Sequence, residues 1–490
     1  MKFPMFPFIF IFLNFLFINF LFSQGWERRY RYCDSVSAMY TWGNRIVTQG
    51  NDEGFYIAGY GNKDAALIHV SSTGDSIWTK NFGNSDSNYY FSAFYFICGT
   101  MDGGQILAGD FAFNPNPGKV VRKKYIVKTD QNGDTLWTKF FNMENPSDWA
   151  SPIQQTPDSS YVFAFSTADT SKPFLPRTTH LYKLKSNGDT IWTKKYGGNN
   201  YSLQLVTASQ TTDGGCILSG NYYINGSGSN FHPFFLLKTD ANGDSLWTKI
   251  YGGGTQTFTP NSIVQTSDSG FAIAGNSFDS IFANFNNDIN IFLLRTDKQG
   301  DSLWTKNFGG SSYDEGASIV NTTDNGFVIT GTTCSFGDTL GDMFLLKTNS
   351  NGDSIWFKTY GDTLDEYASS LIQTNDGEFL IAGFVNWNCG DIFLVKTDSL
   401  GSVSNGSLSI NKNKFSVFPN PTSGKFTVSM GSQKAKSFSV VVYNLFGEII
   451  LEKEIIGRES EFNLSNQLAG IYFLKFESDG KRFVKKIIKE

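Results

Sequence analysis

Two acidic pairs, Asp314-Glu315 and Asp365-Glu366, are the residues of this chain best suited by type and spacing to bond-breaking chemistry. Paired carboxylates are the minimum equipment for glycoside hydrolysis, one as acid and one as base or nucleophile, at a separation of about 5 to 10 Å. Both pairs stand just before the innermost strand of consecutive repeats, which puts carboxylates near one mouth of a central channel. A solvated loop explains them more simply. His69, His180 and His232 are the only histidines, and they lie in different repeats. His69 belongs to the strand pattern Ala66 to Val70, so a satisfied or solvent-facing ring is favoured over a metal ligand or general base. No GxSxG elbow, HExxH pair or P-loop gives nucleophilic or phosphate chemistry an anchor. The five cysteines, Cys33, Cys98, Cys216, Cys334 and Cys389, form no CxxC pair, so neither a disulfide scaffold nor a zinc cluster is indicated. The clusters Asp130 to Asp134 and Asp240 to Asp244 look superficially like calcium loops, but a five-residue hairpin tip lacks further oxygen ligands. Copies such as Ser72-Thr73-Gly74-Asp75 also lose the first acid, so the clusters read as turns. No metal and no cofactor is expected.

These residues are embedded in a repetition that dominates the chain. Gly-Asp-(Ser/Thr)-(Ile/Leu)-Trp-(Thr/Phe)-Lys recurs with its tryptophans at Trp78, Trp137, Trp192, Trp247, Trp304 and Trp356, which are 59, 55, 55, 57 and 52 residues apart. A second motif, Asp-x-Gly-x-x-Ile-x-Gly and its variants, recurs seven times, from Asp52 to Gly59 through Asp376 to Gly383. An apolar run ending in Lys-Thr-Asp or a relative precedes each Trp motif. In the sixth unit, Ala317 to Asn321, Gly326 to Gly331, Met343 to Thr348 and Ser354 to Thr359 alternate with period two between turn-forming Gly, Asn and Asp. Asn-Gly pairs such as 132-133 and 351-352 supply the positive φ values of tight hairpins. Four strands at this period, seven times over, predict an all-β fold: a seven-bladed β-propeller, whose closed ring leaves only short edges. Gly25-Trp26-Glu27-Arg28-Arg29-Tyr30 is a Trp motif without a hairpin before it, whereas the last repeat ends in Gly401-Ser402-Val403 without a Trp. The N-terminus therefore supplies the outer strand of the last blade, and the seven tryptophans starting with Trp26 read as packing wedges between sheets. The neighbouring Lys and Thr then face outward as solvated strand residues.

Composition agrees with sheet. Of 490 residues 49 are Gly, aromatics make up 16% and charged residues only 17%, far from the charge-rich signature of disorder. The net charge of -5 argues against a duplex-nucleic-acid partner, which demands a basic surface. Lys2 precedes the apolar run Phe8 to Phe22, which ends in Phe22-Ser23-Gln24-Gly25; this reads as a secretory signal peptide cleaved after Ser23. No cysteine near the cleavage point is available for a lipid anchor, and outside the cytoplasm a disulfide involving Cys33 is permitted. The expected divisions are signal peptide 1-23, propeller 24-403, linker 404-414 and an end module 415-490.

The end module reads unaided as a small all-strand sandwich, immunoglobulin-like, with a basic tail. Pro419-Asn420-Pro421 with Gly424, Tyr443-Asn444 with Gly447, Leu468 to Tyr472 including Gly470, and the Lys485-Lys486 ending closely resemble the type A C-terminal sorting domain of proteins exported by the Bacteroidota type IX secretion system. That resemblance implies passage through the general secretory system and then across the outer membrane, with the type IX machinery as partner. It also implies a cargo that is released or attached to surface lipopolysaccharide. In the same bacteria, Asp followed by Ser or Thr and an aliphatic residue resembles an O-glycosylation acceptor; Asp134-Thr135-Leu136 and its equivalents fit, although outer-strand residues are expected to be buried.

Loops rich in Tyr, Asn, Ser and Phe, namely Asn84 to Tyr95, Asn221 to Pro233 and Asn276 to Asn290, offer aromatic area and adaptable hydrogen bonding with little charge. That chemistry suits a secreted module that binds a glycan or a protein surface. The alternatives are a polysaccharide-degrading enzyme with carboxylates in the central funnel and a purely structural surface protein.

Overall fold

The computed structural model describes residues 25–30, 46–61, 63–83, 89–116, 119–141, 152–172, 175–198, 200–224, 233–253, 256–279, 289–337, 340–385, 391–403, 415–419, 421–430, 438–444, 449–455, 459–478 and 481–490. The leader, Cys33, Cys389, His232, Asn420, Gly447, the linker and parts of all three aromatic loops lie outside them.

Seven four-stranded antiparallel sheets form a closed ring. Blades 1 to 6 span 47–82, 89–141, 153–196, 201–251, 256–308 and 314–360, and blade 7 spans 366–397. In blade 6 the strands, from the inside out, are Asp314–Asn321, Phe327–Thr333, Asp342–Thr348 and Ser354–Tyr360. The second and third are buried along their whole length, because each is sandwiched between the neighbouring blades; hence their nearly unbroken apolar runs. The fourth strand of a blade alternates exposed and half-buried positions, as in Ser302–Phe308, because it lies at the rim. The inner strands begin at one end of the ring, here called the upper end, and finish at the lower end; blade-to-blade connections are therefore upper, and the hairpins before the fourth strands are lower.

The terminal Gly of the Asp-x-Gly repeat has a steric origin. Inner strands carry a bulge, between Gly316 and Ser318 in blade 6 and between Ala368 and Ser370 in blade 7, that brings a carbonyl against the second strand. A Cβ on Gly331 would lie 1.7 Å from the Glu315 carbonyl oxygen, and one on Gly383 would lie 1.9 Å from that of Tyr367. Gly331→Ala is accordingly expected to destabilise the protein by about 1–3 kcal/mol through overpacking, read as a lower urea midpoint at unchanged slope.

The ring closes through the N-terminus. Trp26–Tyr30 pairs antiparallel with Asp391–Thr397, with Trp26 opposite Lys396 and Tyr30 opposite Ile392. Trp26 then joins Ile46, Val47, Phe55, Leu380 and Leu394 in a core shared by blades 1 and 7. In the end module, Phe415–Phe418, Lys425–Met430 and Glu459–Asn463 form one sheet, and Ile449–Ile455, Phe438–Tyr443, Gly470–Ser478 and Lys481–Lys489 form the other. Val428, Val442, Phe462, Tyr472 and Leu474 fill the space between them, making a β-sandwich.

Candidate functional site

Each repeated Trp holds the next blade. The indole of Trp78 covers Gly133, and Trp137, Trp192, Trp247, Trp304 and Trp356 cover Gly188, Gly243, Gly300, Gly352 and Gly401 in turn, while Trp26 covers Gly74 and completes the circle. A Cβ at any of these glycines would strike the indole, and φ lies between 71° and 85° at all seven, so the repeated Gly serves both turn and latch. Indole Nε1 donates to a hairpin carbonyl, at 2.9 Å from Trp26 to Ser72 and 3.1 Å from Trp137 to Ser186. The lysine two residues on is not a free solvated residue: Lys194, Lys249 and Lys306 pair with Asp244, Asp301 and Asp353 of the following blade at 2.6, 2.6 and 3.1 Å, and Lys80 pairs with Asp134. The acids that looked like calcium ligands thus latch blades, while Asp130 and Asp240 each accept hydrogen bonds from two backbone N–H groups of their own turns.

A second set of acids closes the lower turns. Asp324 accepts from Gly326 N–H at 3.0 Å and from Lys347 Nζ at 2.8 Å, a lysine reaching along the third strand. Burial alone would raise the Asp324 pKa; the Lys347 and Thr322 hydrogen bonds outweigh it and hold the carboxyl down at about 2. Lys128–Asp102, Lys183–Asp158, Lys238–Asp213, Arg295–Asp268 and Lys396–Asp376 repeat the pair. In blade 1 His69 takes the cation's place, its Nε2 2.9 Å from Asp52 Oδ2 and its ring stacked on Tyr56 at 4.2 Å. Burial lowers its pKa against the pull of Asp52. His180 is buried beside Thr167 Oγ1 at 2.9 Å, and desolvation, with Lys195 adding to it, lowers its pKa to about 4.

The two acidic pairs lie at the upper end of blades 6 and 7 one residue out of step, so that Asp314 and Glu366 hold matching places. Asp314 and Glu366 are both fully buried, each two residues ahead of its strand's bulge, and neither is a solvated loop residue. Asp314 accepts from Gly310 N–H at 2.8 Å and Ser335 Oγ at 2.7 Å, which ties down the connection from blade 5. Glu315 accepts from Tyr313 Oη at 2.6 Å and Asn276 Nδ2 at 3.3 Å, and Asp365 from Gly341 N–H at 3.1 Å. Glu366 Oε1 receives Arg29 Nη2 of the closing strand at 2.7 Å. Desolvation pushes its pKa up to about 7 although Arg29 opposes the rise. The channel between the inner strands holds a cavity of about 350 Å³ lined by residues such as Phe96, Gln154, Thr207, Ser262, Ile319 and Gln373, and among the described residues no charged side chain lines it.

Aromatic residues do gather at the upper end. Tyr201 and Tyr222 stack at 5.8 Å, and Tyr223 Oη donates to Gln204 Oε1 at 2.9 Å beneath the Arg177 guanidinium, 5.8 Å from the Tyr223 ring. Tyr201 and Tyr90 remain 41% and 47% exposed, areas large enough for a ligand to cover. At the lower rim, Ser76, Thr135, Thr190, Ser245, Ser302 and Ser354 are exposed, contrary to the expectation that the Asp-(Ser/Thr)-aliphatic positions are buried. Cys98, Cys216 and Cys334 are free thiols.

Sequence reasoning missed the amides that finish the inner strands. Gln155 Oε1 accepts from Met101 N–H at 2.7 Å, Gln265 from Thr212 at 2.8 Å and Gln49 from Asn375 at 2.8 Å, each stitching a blade to the turn of the one before. Their signal is present in the sequence as Gln or Asn three residues ahead of the repeated Asp in every blade but the second, where Gly99 stands.

Comparison with known proteins adds the export route. Residues 416–490 match the secretion system C-terminal sorting domain, so the chain carries a type IX sorting domain joined to a propeller of repeated blades. The domain implies interaction with the type IX secretion machinery and export to the cell surface or extracellular space. An endo-acting ulvan lyase of Formosa agariphila is 27% identical over 150 residues, which are 29% of this chain and 28% of that protein; the chain therefore matches well under a third of the lyase's length. Among solved structures, an alpha-L-arabinanase of Penicillium chrysogenum complexed with arabinobiose is similar at a TM-score of 0.43 and 12% identity, covering 62% of this chain and 92% of that one. A puromycin hydrolase reaches 0.42 and 11%, covering 73% and 51%.

Proposed function

We propose that the chain is an exported binding propeller that recognises a glycan or a protein surface at its upper end without covalent chemistry. In this reading residues 1-23 are a cleaved leader, 24-403 the recognition module, 404-414 a linker and 415-490 the sorting domain, and the exported protein is either free or attached to surface lipopolysaccharide. One observation carries it: the half-exposed tyrosines Tyr201, Tyr222 and Tyr223 stand at the loop-bearing end, whereas the carboxylates nearest to catalytic duty are held in structural bonds. Tyrosine supplies rigid amphipathic area at small entropic cost.

The second reading, degradation of a polysaccharide, is favoured by the ulvan lyase relative. An array of polysaccharides and immobilised proteins probed with the purified protein, scoring both retained ligand and released reducing or unsaturated ends, separates the two. The expected outcome is saturable retention without product, weakened about tenfold or more by Tyr201→Ala with Tyr222→Ala, equivalent to about 1.4 kcal/mol. Product that disappears with Asp314→Asn and Glu315→Gln would replace binding by degradation, hydrolytic if the new ends are saturated and eliminative if they are unsaturated. Product that survives them would point to other catalytic residues.

A further inference from the structure

From the lower end of the ring we infer a second ligand site, a groove between blades 5 and 6 that takes an uncharged oligosaccharide; this rests on the reading of the chain as a glycan binder but not on the upper tyrosines. The groove encloses about 660 Å³, nearly twice the channel cavity and within the usual range for ligand sites of roughly 300–1,000 Å³. Its walls come from the lower turn and fourth strand of blade 5 and from the turn and hairpin of blade 6.

Charge decides the ligand class. Among the described residues Arg295 and Asp268 are the charged ones lining the groove, and Arg295 Nη2 lies 2.5 and 2.6 Å from the two Asp268 oxygens, with Arg295 itself buried. The guanidinium is thereby neutralised and turned into the protein, so a sulfate or uronate finds no unpaired cation there. A cationic ligand likewise meets a carboxylate already engaged on both oxygens.

The rest of the lining suits hydroxyl-rich, apolar-faced sugar rings. Asn351 is exposed at the hairpin tip, where its backbone N–H donates to Asn349 Oδ1. Asn325 and Ser267 join across the groove at 2.8 Å, a bond that sugar hydroxyls can replace on both sides. Leu303, 56% exposed, continues the half-buried Trp304 as an apolar shelf. Aromatic and aliphatic area beside amides and hydroxyls, with no free charge, is the recognition chemistry of neutral glycans.

The test uses the purified protein with neutral oligosaccharides (gluco-, manno- and xylo-hexaoses) and anionic ones (ulvan and alginate fragments) in calorimetric titrations. Leu303→Ala and Asn351→Ala both alter exposed side chains and are expected to leave the melting temperature unchanged while weakening a neutral hexaose about tenfold. Asn351→Asp is expected to weaken it at least as much. Neutral binding that survives these variants but falls with Tyr201→Ala sinks the groove and spares the upper site. Binding restricted to anionic fragments overturns the neutral assignment, and no binding of any saccharide overturns both glycan sites while leaving a protein ligand for the upper end.

Discussion

Replacing Trp26 with alanine is expected to lower stability by about 3–5 kcal/mol, more than the same change at any of the other six repeated tryptophans. Trp26 is only 8% exposed, whereas its six counterparts are half-buried at the rim. It also belongs to the short strand on which closure depends: five residues pair with Asp391–Thr397, and the indole and Tyr30 both bond into the hairpin of blade 1. Loss of the indole empties the core shared by Trp26, Phe55 and Leu380 and frees Gly74, so the seam between blades 1 and 7 loosens. Leaving the seam's edge strand unpaired would also expose a template for aggregation. Denaturant titration of Trp26→Ala beside Trp304→Ala checks the ranking. Equal losses would mean that the latch at each rim, rather than closure, sets the stability.

Much of this architecture was legible because it is repeated. The Trp spacing defined the blade period, and the missing Trp after Gly401 together with the unattached motif at Trp26 pointed to the closing strand that pairs with Asp391–Thr397. The chemical partners of the repeated residues were harder to read, because they come from the next blade. Lys249 reads as an outward strand residue until Asp301, in the following hairpin, is placed 2.6 Å from it. Substitution within a shared slot is also opaque in one copy at a time: His69 looks like an isolated histidine, yet it stands where Lys128, Lys238 and Lys347 stand in other blades.

The candidate site was less legible than the ring for the same physical reason. Upper-end loops differ from blade to blade, so periodicity carries no information about them. Acidic pairs beside loops look solvated in sequence, and only burial against the preceding connection, as for Asp314 beneath Gly310, separates a structural carboxylate from a free one. The groove between blades 5 and 6 draws its walls from residues scattered over 212–351, each unremarkable alone.

Arg29→Ala is expected to cost about 1–2 kcal/mol at pH 8, because Glu366, deprived of its cation, keeps a proton that the unfolded chain has released. Glu366 is fully buried, and Arg29, which also reaches Asp362 at 3.0 Å, is its ion-pair partner on the closing strand. Desolvation, with repulsion from Asp362 and then Asp342 adding to it, outweighs Arg29, so the site already favours the neutral acid, with a pKa of about 7 against an ordinary value of 4.5. The sign follows from proton counting. Between about pH 4.5 and 7 the unfolded chain has released this proton while the folded chain keeps it, so the contribution is fully present below 4.5 and is lost as pH rises through 7. Over that window the loss amounts to roughly 3 kcal/mol. Glu366→Gln removes the titrating group and keeps the shape, so its stability is expected to stay flat over the same window and to exceed that of the parent at pH 8. The double variant Arg29→Ala with Glu366→Gln should recover most of what Arg29→Ala loses, since no buried carboxyl then has a proton to keep. Denaturant midpoints at pH 5, 6, 7 and 8 for the four proteins decide the matter. A parent that stays flat between pH 5 and 8 would show that Arg29 fully offsets the burial of Glu366, and a double variant as weak as Arg29→Ala would assign the loss to the packing of the arginine on Phe393 instead.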